Sequence, residues 1–314
     1  MKNSYPYLDI TKPRITFLVL LSTAVGFFAG IADWNSDPSF RIASSLPTYI
    51  ESHGGIAKFW QSFLFLLLGT GLASAAGSVF NNILDRDMDA LMDRTKKRAM
   101  PRKKIKVKDA AFYAYFLLFS GVLILYYYCN FISAVLVFLA VFLYVVYTFF
   151  LKRKTSFCTV VGGVPGALPP LVGYAAALNS WGDLSGVSWM LFYVMFFWQP
   201  PHFWALALMY KDDYKKTVFK MLPVTDSIDT TKKQILIYTI VMAVFVFMFT
   251  IEFVNQLFIQ ILLVLVALHY LRDTLLFVSK QGNKKSAKAL FKTSVFFMGL
   301  FMVFLLIEFV PLSY

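Results

Sequence analysis

The sequence predicts an all-α integral membrane bundle of about nine transmembrane helices, on three observations. Of its 314 residues, 59% are hydrophobic and only 15% charged, against about 45–50% and about 25% in a soluble domain. The mean hydropathy is +0.65, and the apolar residues gather into runs long enough to cross about 30 Å of hydrocarbon. The cations fall almost wholly between alternate runs, as they do in cytoplasmic loops.

The runs lie at 14–32, 57–82, 109–128, 131–151, 157–177, 186–209, 234–252, 255–272 and 290–311. The first follows Lys2 and Lys12 but lacks a small-residue cleavage site, so it reads as a retained span and not a signal peptide. The third and fourth meet at a short turn near Cys129-Asn130, the seventh and eighth at Phe253-Val254-Asn255-Gln256. Turns this short make each pair antiparallel neighbours. Glycine and proline crowd the fifth run, from Gly162 to Gly173. Such glycines let helices or a planar ligand come close, and such prolines free carbonyls where the backbone lines a cavity. Simple helix packing explains them equally well. The sixth run contains Pro200-Pro201 and is expected to kink there. No low-complexity tract interrupts the chain, so one membrane-embedded domain over 1–314 is expected.

With the N-terminus in the cytoplasm, the inside segments hold Lys2, Lys12, Arg14, the stretch from Arg86 to Lys108, Lys152-Arg153-Lys154, Lys211 to Lys233, and Arg272 to Lys292. Only Arg41 and Lys58 are left outside, and the C-terminus is expected there. Trp60, Trp181 and Trp189 fall near outer span ends, where amphipathic rings anchor. The net charge of +13 is thus accounted for by topology, and no nucleic-acid partner is expected. The two cysteines, Cys129 and Cys158, imply neither a disulfide framework nor a thiolate metal site. No charged residue falls in the middle of an expected span, which argues against an ion-coupled transporter. A lipid or metal carrier remains as the alternative class.

The chemistry is concentrated where the second run meets its basic loop. Asn81, Asp85, Asp89 and Asp93 recur every fourth residue, which on a helix puts all four on one face. Like charges at that spacing repel by a few tenths of a kcal/mol per pair, so stability alone does not explain them. Oxygen ligands of this kind suit Mg²⁺ held together with substrate phosphates. Arg94 and Arg98 follow at once, and fixed cations beside metal-binding acids make a diphosphate clamp. A positive-inside loop explains the basic residues by themselves; the acid spacing is what it leaves unexplained.

These residues carry a family resemblance. Asn81-Asn82-Ile83-Leu84-Asp85-Arg86-Asp87-Met88-Asp89, with Arg94 and Arg98 after it, resembles the first aspartate-rich motif of the UbiA-type intramembrane prenyltransferases. Thr11-Lys12-Pro13-Arg14, Tyr147-Thr148, Leu151-Lys152-Arg153-Lys154-Thr155, Gly162 to Gly173 and above all Trp198-Gln199-Pro200-Pro201-His202-Phe203-Trp204 are similar to the haem O synthase branch, as are Asp213-Tyr214 and Met221-Leu222-Pro223. The matches run in order from Thr11 to Pro223. The chain departs from the pattern at Ala99, where proline is delayed to Pro101. It departs again in the second acidic motif, where Tyr210 and Tyr214 stand near the aspartate positions.

The resemblance implies a helical bundle around a central cavity and farnesyl transfer from farnesyl diphosphate to a vinyl group of haem B, giving haem O for terminal oxidases. It implies Mg²⁺ as cofactor on Asn81, Asp85, Asp89 and Asp213, and catalytic roles for Arg94, Arg98, Lys152 and Arg153 beside those acids. Lys12, Arg14, Asp212, Asp213, Tyr147, His202 and Trp204 are the expected substrate-binding residues. His202 can ligate the iron or bond a propionate, or be purely structural; His269 is a second candidate. Tyr147, Phe149, Phe150, Phe203 and Trp204 can shield an allylic cation with their ring faces. The bacterial inner membrane is the implied location, with haem A synthase or oxidase assembly factors as partners. A quinone precursor or other aromatic is the alternative acceptor.

Overall fold

The computed structural model describes residues 5–36, 46–178, 184–280 and 283–310; Lys2, Arg41 and Trp181 lie outside them. Among the described residues every regular element is helical. The principal helices are α1 (Pro13–Ser36), α2 (Ile56–Leu91), α3 (Val107–Tyr128), α4 (Phe131–Val146), α5 (Pro169–Leu178), α6 (Gly186–Met209), α7 (Ile228–Phe253), α8 (Leu257–Ser279) and α9 (Lys284–Phe309). Two short helical turns, Cys158–Val161 and Gly163–Ala167, precede α5 and complete its crossing. Among the described residues, eight segments are long and apolar enough to span a membrane. The remaining helix, α6, has 24 residues and holds Pro200 and Pro201 inside it.

The helices extend beyond the apolar runs where a cap supports them. Helix α7 starts at Ile228, within polar sequence, because Ser227 Oγ accepts the amide of Thr230 at 3.0 Å. Helix α9 starts at Lys284 because Asn283 Oδ1 accepts the amide of Ser286 at 2.9 Å. Such caps satisfy amides that the first helical turn leaves free. Helix α8 continues to Ser279, so Asp273 lies inside a helix and not in a loop. Its carboxylate accepts from Thr293 Oγ1 at 2.7 Å.

Each long helix buries one stripe and turns the other outward. In α3, Ala110, Ala114, Leu117, Leu118, Gly121 and Leu125 are buried, while Phe112, Phe116 and Phe119 are exposed, as lipid contact requires. Helices α1 to α5 share one apolar core, and α6 to α9 share most of another. Helix α9 packs on both α6 and α1, which closes the ring. A third cluster of Met92, Cys158, Ala207, Tyr214, Phe219 and Met221 seats the two polar loops, 92–106 and 210–227, on the helix ends.

The fifth-run glycines prove to be a packing device in part. A Cβ on Gly173 would lie 1.9 Å from the Thr23 carbonyl oxygen, and one on Gly26 would lie 1.9 Å from that of Pro170. Helices α1 and α5 therefore touch backbone to backbone. Gly173→Ala is expected to force them apart and cost about 1–3 kcal/mol, read as a lower melting temperature in detergent; an unchanged midpoint would count against this contact.

Helix α2 positions the site. Its 36 residues extend about 54 Å at 1.5 Å per residue, well beyond a hydrocarbon core of about 30 Å. The last turns, which carry Asn81, Asp85 and Asp89, therefore emerge at the lipid–water border.

Candidate active site

Asn81, Asp85 and Asp89 are all buried, at 6%, 3% and 4% exposure, on one face of α2. Asp93 does not join them. The helix ends at Leu91 and Met92 is extended, so the expected ladder of four has three rungs. Asp93 instead points outward, paired with Lys96 and with Lys216 at 2.6 Å. Its hydrogen bonds from Lys216 and then Lys96 hold its carboxyl down at about 2.

The three rungs meet a ring of cations from distant sequence. Asn81 Nδ2 donates to Asp85 Oδ2 at 3.0 Å, while Asn81 Oδ1 accepts from Lys12 Nζ at 2.7 Å. Lys152 Nζ donates to Asp85 Oδ2, and Arg98 Nη1 donates to Asp89 Oδ2 at 2.8 Å. Arg153 Nη2 donates to the Leu84 carbonyl at 2.9 Å. Lys12 reaches the site from the break between a short helix, Pro6–Thr11, and α1, where it adopts a φ of 50°. Side chains other than glycine rarely take that conformation. Burial, then Arg98 and Lys152, lower its pKa to about 7.

Lys152 and Arg153 owe their direction to an irregular turn. Helix α4 passes into a π-helical turn over Tyr147–Leu151. The extra residue in that turn rotates the residues after it, and both cations end up on α2. Lys152 Nζ also sits 4.2 Å from the Phe219 ring centroid.

Two polar atoms in this cluster have no hydrogen-bond partner: Asp85 Oδ1 and Arg153 Nε, both buried. Orphaned buried groups are few in native proteins and call for an explanation. An acceptor and a donor left open in one cluster suit a divalent cation and an anion. Among the described residues no group of three or more His, Cys, Asp or Glu is gathered for metal binding. The donor set here is two carboxylates and one amide oxygen. Such hard oxygens fit Mg²⁺ when substrate phosphates complete the shell.

The other expected residues fall in several places. Arg94 stacks over the Tyr210 ring at 5.0 Å. Asp213 is 8% exposed and accepts the amides of Asp93 and Arg94 at 3.1 and 3.0 Å. The Asp212 side chain is 97% exposed, 4.0 Å from Lys215. Arg14 is exposed near the start of α1. Tyr147 is half-buried, and a Cβ on Gly162 would lie 2.9 Å from its ring. Trp204 is buried and meets Tyr238 of α7 edge-on at 5.3 Å. Phe149, Phe150 and Phe203 are exposed.

His202 faces α9. Its ring lies between Trp198 at 4.7 Å and Phe291 at 4.6 Å, and its Nδ1 is 2.7 Å from Ser294 Oγ. Ser294 Oγ has one proton and also lies 2.7 Å from the Phe291 carbonyl oxygen. With that proton given to the carbonyl, Nδ1 is the donor and Nε2 keeps its lone pair; with the proton on Nδ1, the tautomer reverses. His269, the second candidate, is 43% exposed on α8 and lies 3.9 Å from Asp273.

The structure thus joins Lys12, Asn81, Asp85, Asp89, Arg98, Lys152 and Arg153 in one cluster. Arg94 and Asp213 border it, Arg14 and Asp212 stay at the surface, and His202 and Trp204 face neighbouring helices. Sequence reasoning passed over Thr95, Lys216, Phe219 and Gln199. Thr95 is fully buried and its Oγ1 donates to the Asp89 carbonyl at 3.0 Å. Gln199 Nε2 donates to the Gly163 carbonyl at 2.9 Å, and a Cβ on Gly166 would lie 2.1 Å from Gln199 Oε1. Two of these carried a signal: Gln199 is part of the Trp198 to Trp204 motif, and Thr95 follows Arg94 in the basic stretch after the aspartates.

Comparison with known proteins bears on family and fold. The profile of the UbiA prenyltransferase family matches residues 45–301. A protoheme IX farnesyltransferase of Aquifex aeolicus is 39% identical over 237 residues, covering 74% of this chain and 71% of that protein. One from Trichodesmium erythraeum is 32% identical over 311 residues, covering 98% and 87%. Among solved structures, a UbiA homologue from Archaeoglobus fulgidus bound to GPP and Mg²⁺ superposes with a TM-score of 0.67 at 19% identity, covering 98% of this chain and all of that one. A digeranylgeranylglyceryl phosphate synthase gives a TM-score of 0.71 at 15% identity, covering 99% and 100%. At such identities these structures speak to fold alone.

Proposed function

Because the chain belongs to the UbiA prenyltransferase family, we propose that it transfers a farnesyl group from farnesyl diphosphate to a vinyl group of haem B, giving haem O. The observation that carries this reading is the open pair at the acid–cation cluster: Asp85 Oδ1 and Arg153 Nε, buried and unpartnered, amid an excess of fixed cations. The names of the relatives supply the acceptor.

Asn81, Asp85 and Asp89 would hold Mg²⁺, which when bound neutralises diphosphate charge and eases departure of the leaving group. Lys12, Arg98, Lys152 and Arg153 face the same space and stabilise the negative charge as the allylic C–O bond breaks and pyrophosphate leaves. Arg94 adds to that field from the loop. The apolar helix walls keep the farnesyl cation from water, and Tyr147 offers a ring face to it. The vinyl carbon of the porphyrin closes the new C–C bond. Water then adds hydroxide to the resulting cation and releases a proton. His202 serves the acceptor as a ligand to iron or as a hydrogen-bond partner.

The protein is integral to a membrane. We read it as one domain of a bacterial cytoplasmic membrane, N-terminus inside and C-terminus outside, from the distribution of lysine and arginine.

Expression in a haem O-free host, followed by pigment extraction and mass spectrometry, tests the reading. The expected product is a porphyrin heavier than haem B by a farnesyl group and a hydroxyl. Unchanged haem beside a prenylated aromatic would move the protein to the other acceptor class. Absence of pyrophosphate release from farnesyl diphosphate and haem would return it to the carrier class.

A further inference from the structure

The second polar loop holds a carboxylate whose contacts differ from those of the acids on α2. Asp213 grips two successive backbone amides: Oδ1 accepts from Asp93 at 3.1 Å and Oδ2 from Arg94 at 3.0 Å. Paired amides of this kind form an anion-binding concavity in the backbone. Lys216 closes the clasp from the solvent side, with its Nζ 2.6 Å from Asp93 Oδ2 and 3.3 Å from Asp213 Oδ1. Three hydrogen bonds thus occupy a carboxylate that has about four lone-pair sites.

What the clasp holds is the segment that carries Arg94 and Arg98. Arg94 continues from it to stack on Tyr210 at 5.0 Å, and Thr95 ties the next turn to the Asp89 carbonyl at 3.0 Å. Arg98, three residues on, pairs with Asp89 at 2.8 Å. A second tether runs from the same loop to the turn after α4: the Lys220 amide donates to the Lys152 carbonyl at 2.9 Å. The neighbouring Asp212 takes no part and points to solvent.

We propose that Asp213 is a positioning residue, which fixes the 92–98 segment so that Arg94 and Arg98 are set in advance for a diphosphate, and that it is not the metal contact its place in the second acidic loop suggests. Burial alone would raise its pKa; the two amides and Lys216 outweigh that and keep it ionised. The clasp also explains why Asp93 leaves the helix, since its amide must turn toward Asp213 and cannot continue α2. The proposal rests on the diphosphate chemistry above and not on the identity of the acceptor.

Two readouts on purified protein test it. The first is trypsin cleavage after the exposed Lys96 and Lys97 without Mg²⁺ or substrate; the second is the Mg²⁺ half-saturation and KM for farnesyl diphosphate in the transfer assay. Asp213→Asn keeps the volume but can serve only one of the two amides. It is expected to speed cleavage and raise KM by about tenfold each, with Mg²⁺ half-saturation within about twofold of the parent. Lys216→Met removes only the outer bridge, and about threefold faster cleavage is expected. Unaccelerated cleavage in both variants overturns the proposal, as does a Mg²⁺ half-saturation raised about tenfold by Asp213→Asn. Cleavage needs neither substrate, so this test can fail while the proposed reaction stands.

Discussion

Asp85→Asn is expected to lower farnesyl transfer by about a thousandfold while the protein still inserts and folds. Asp85 is the centre of the cluster: it bonds Asn81 and Lys152 through one oxygen and keeps the other buried and open. The amide side chain retains the shape and loses the charge, so a divalent cation loses its strongest ligand. The Mg²⁺ requirement should rise steeply with the fall in turnover. Transfer within about tenfold of the parent would remove Asp85 from the metal site.

Lys152→Met should lower kcat by about a hundredfold with the opposite effect on metal. Lys152 lies on Asp85 Oδ2 and over the Phe219 ring, where in the proposed reaction the leaving group would gather charge. Its loss removes stabilisation of departing pyrophosphate. It also relieves Asp85 Oδ2 of one of its two donors, leaving only Asn81 Nδ2, so Mg²⁺ half-saturation should stay level or fall. A rise would mean that Lys152 organises the metal ligands and does not act on the leaving group. Each single variant leaves half of a buried ion pair behind, at a cost of about 3 kcal/mol. The Asp85→Asn, Lys152→Met double variant should therefore regain melting temperature relative to either single one without regaining turnover. That separates folding from chemistry.

Much of this was legible in the sequence, and the reasons are physical. Lipid demands long apolar runs, so the spans could be read from hydropathy. Their ends could not, because Ser227 and Asn283 cap polar turns and carry α7 and α9 past the apolar limit. The i,i+4 rule located Asn81, Asp85 and Asp89 on one face. It failed at Asp93, where a carboxylate at position 213 diverts the backbone, a long-range effect that local periodicity does not contain. The cations were legible by type and not by direction. The π-turn that aims Lys152 and Arg153 at α2 leaves no mark in composition or spacing. The glycine-rich fifth segment was read as open between packing and ligand approach; Gly173 is used for packing, while Gly166 makes room for the Gln199 amide.

If the buried acids on α2 grip a diphosphate through a divalent ion, as proposed, that grip is measurable without turnover. Equilibrium binding of a non-hydrolysable farnesyl diphosphate analogue, with and without Mg²⁺, tests it most directly when the parent and Asp85→Asn are compared. Binding that needs Mg²⁺ in the parent and is lost in the variant is the predicted result. Binding that is equal in both proteins and indifferent to Mg²⁺ would contradict it.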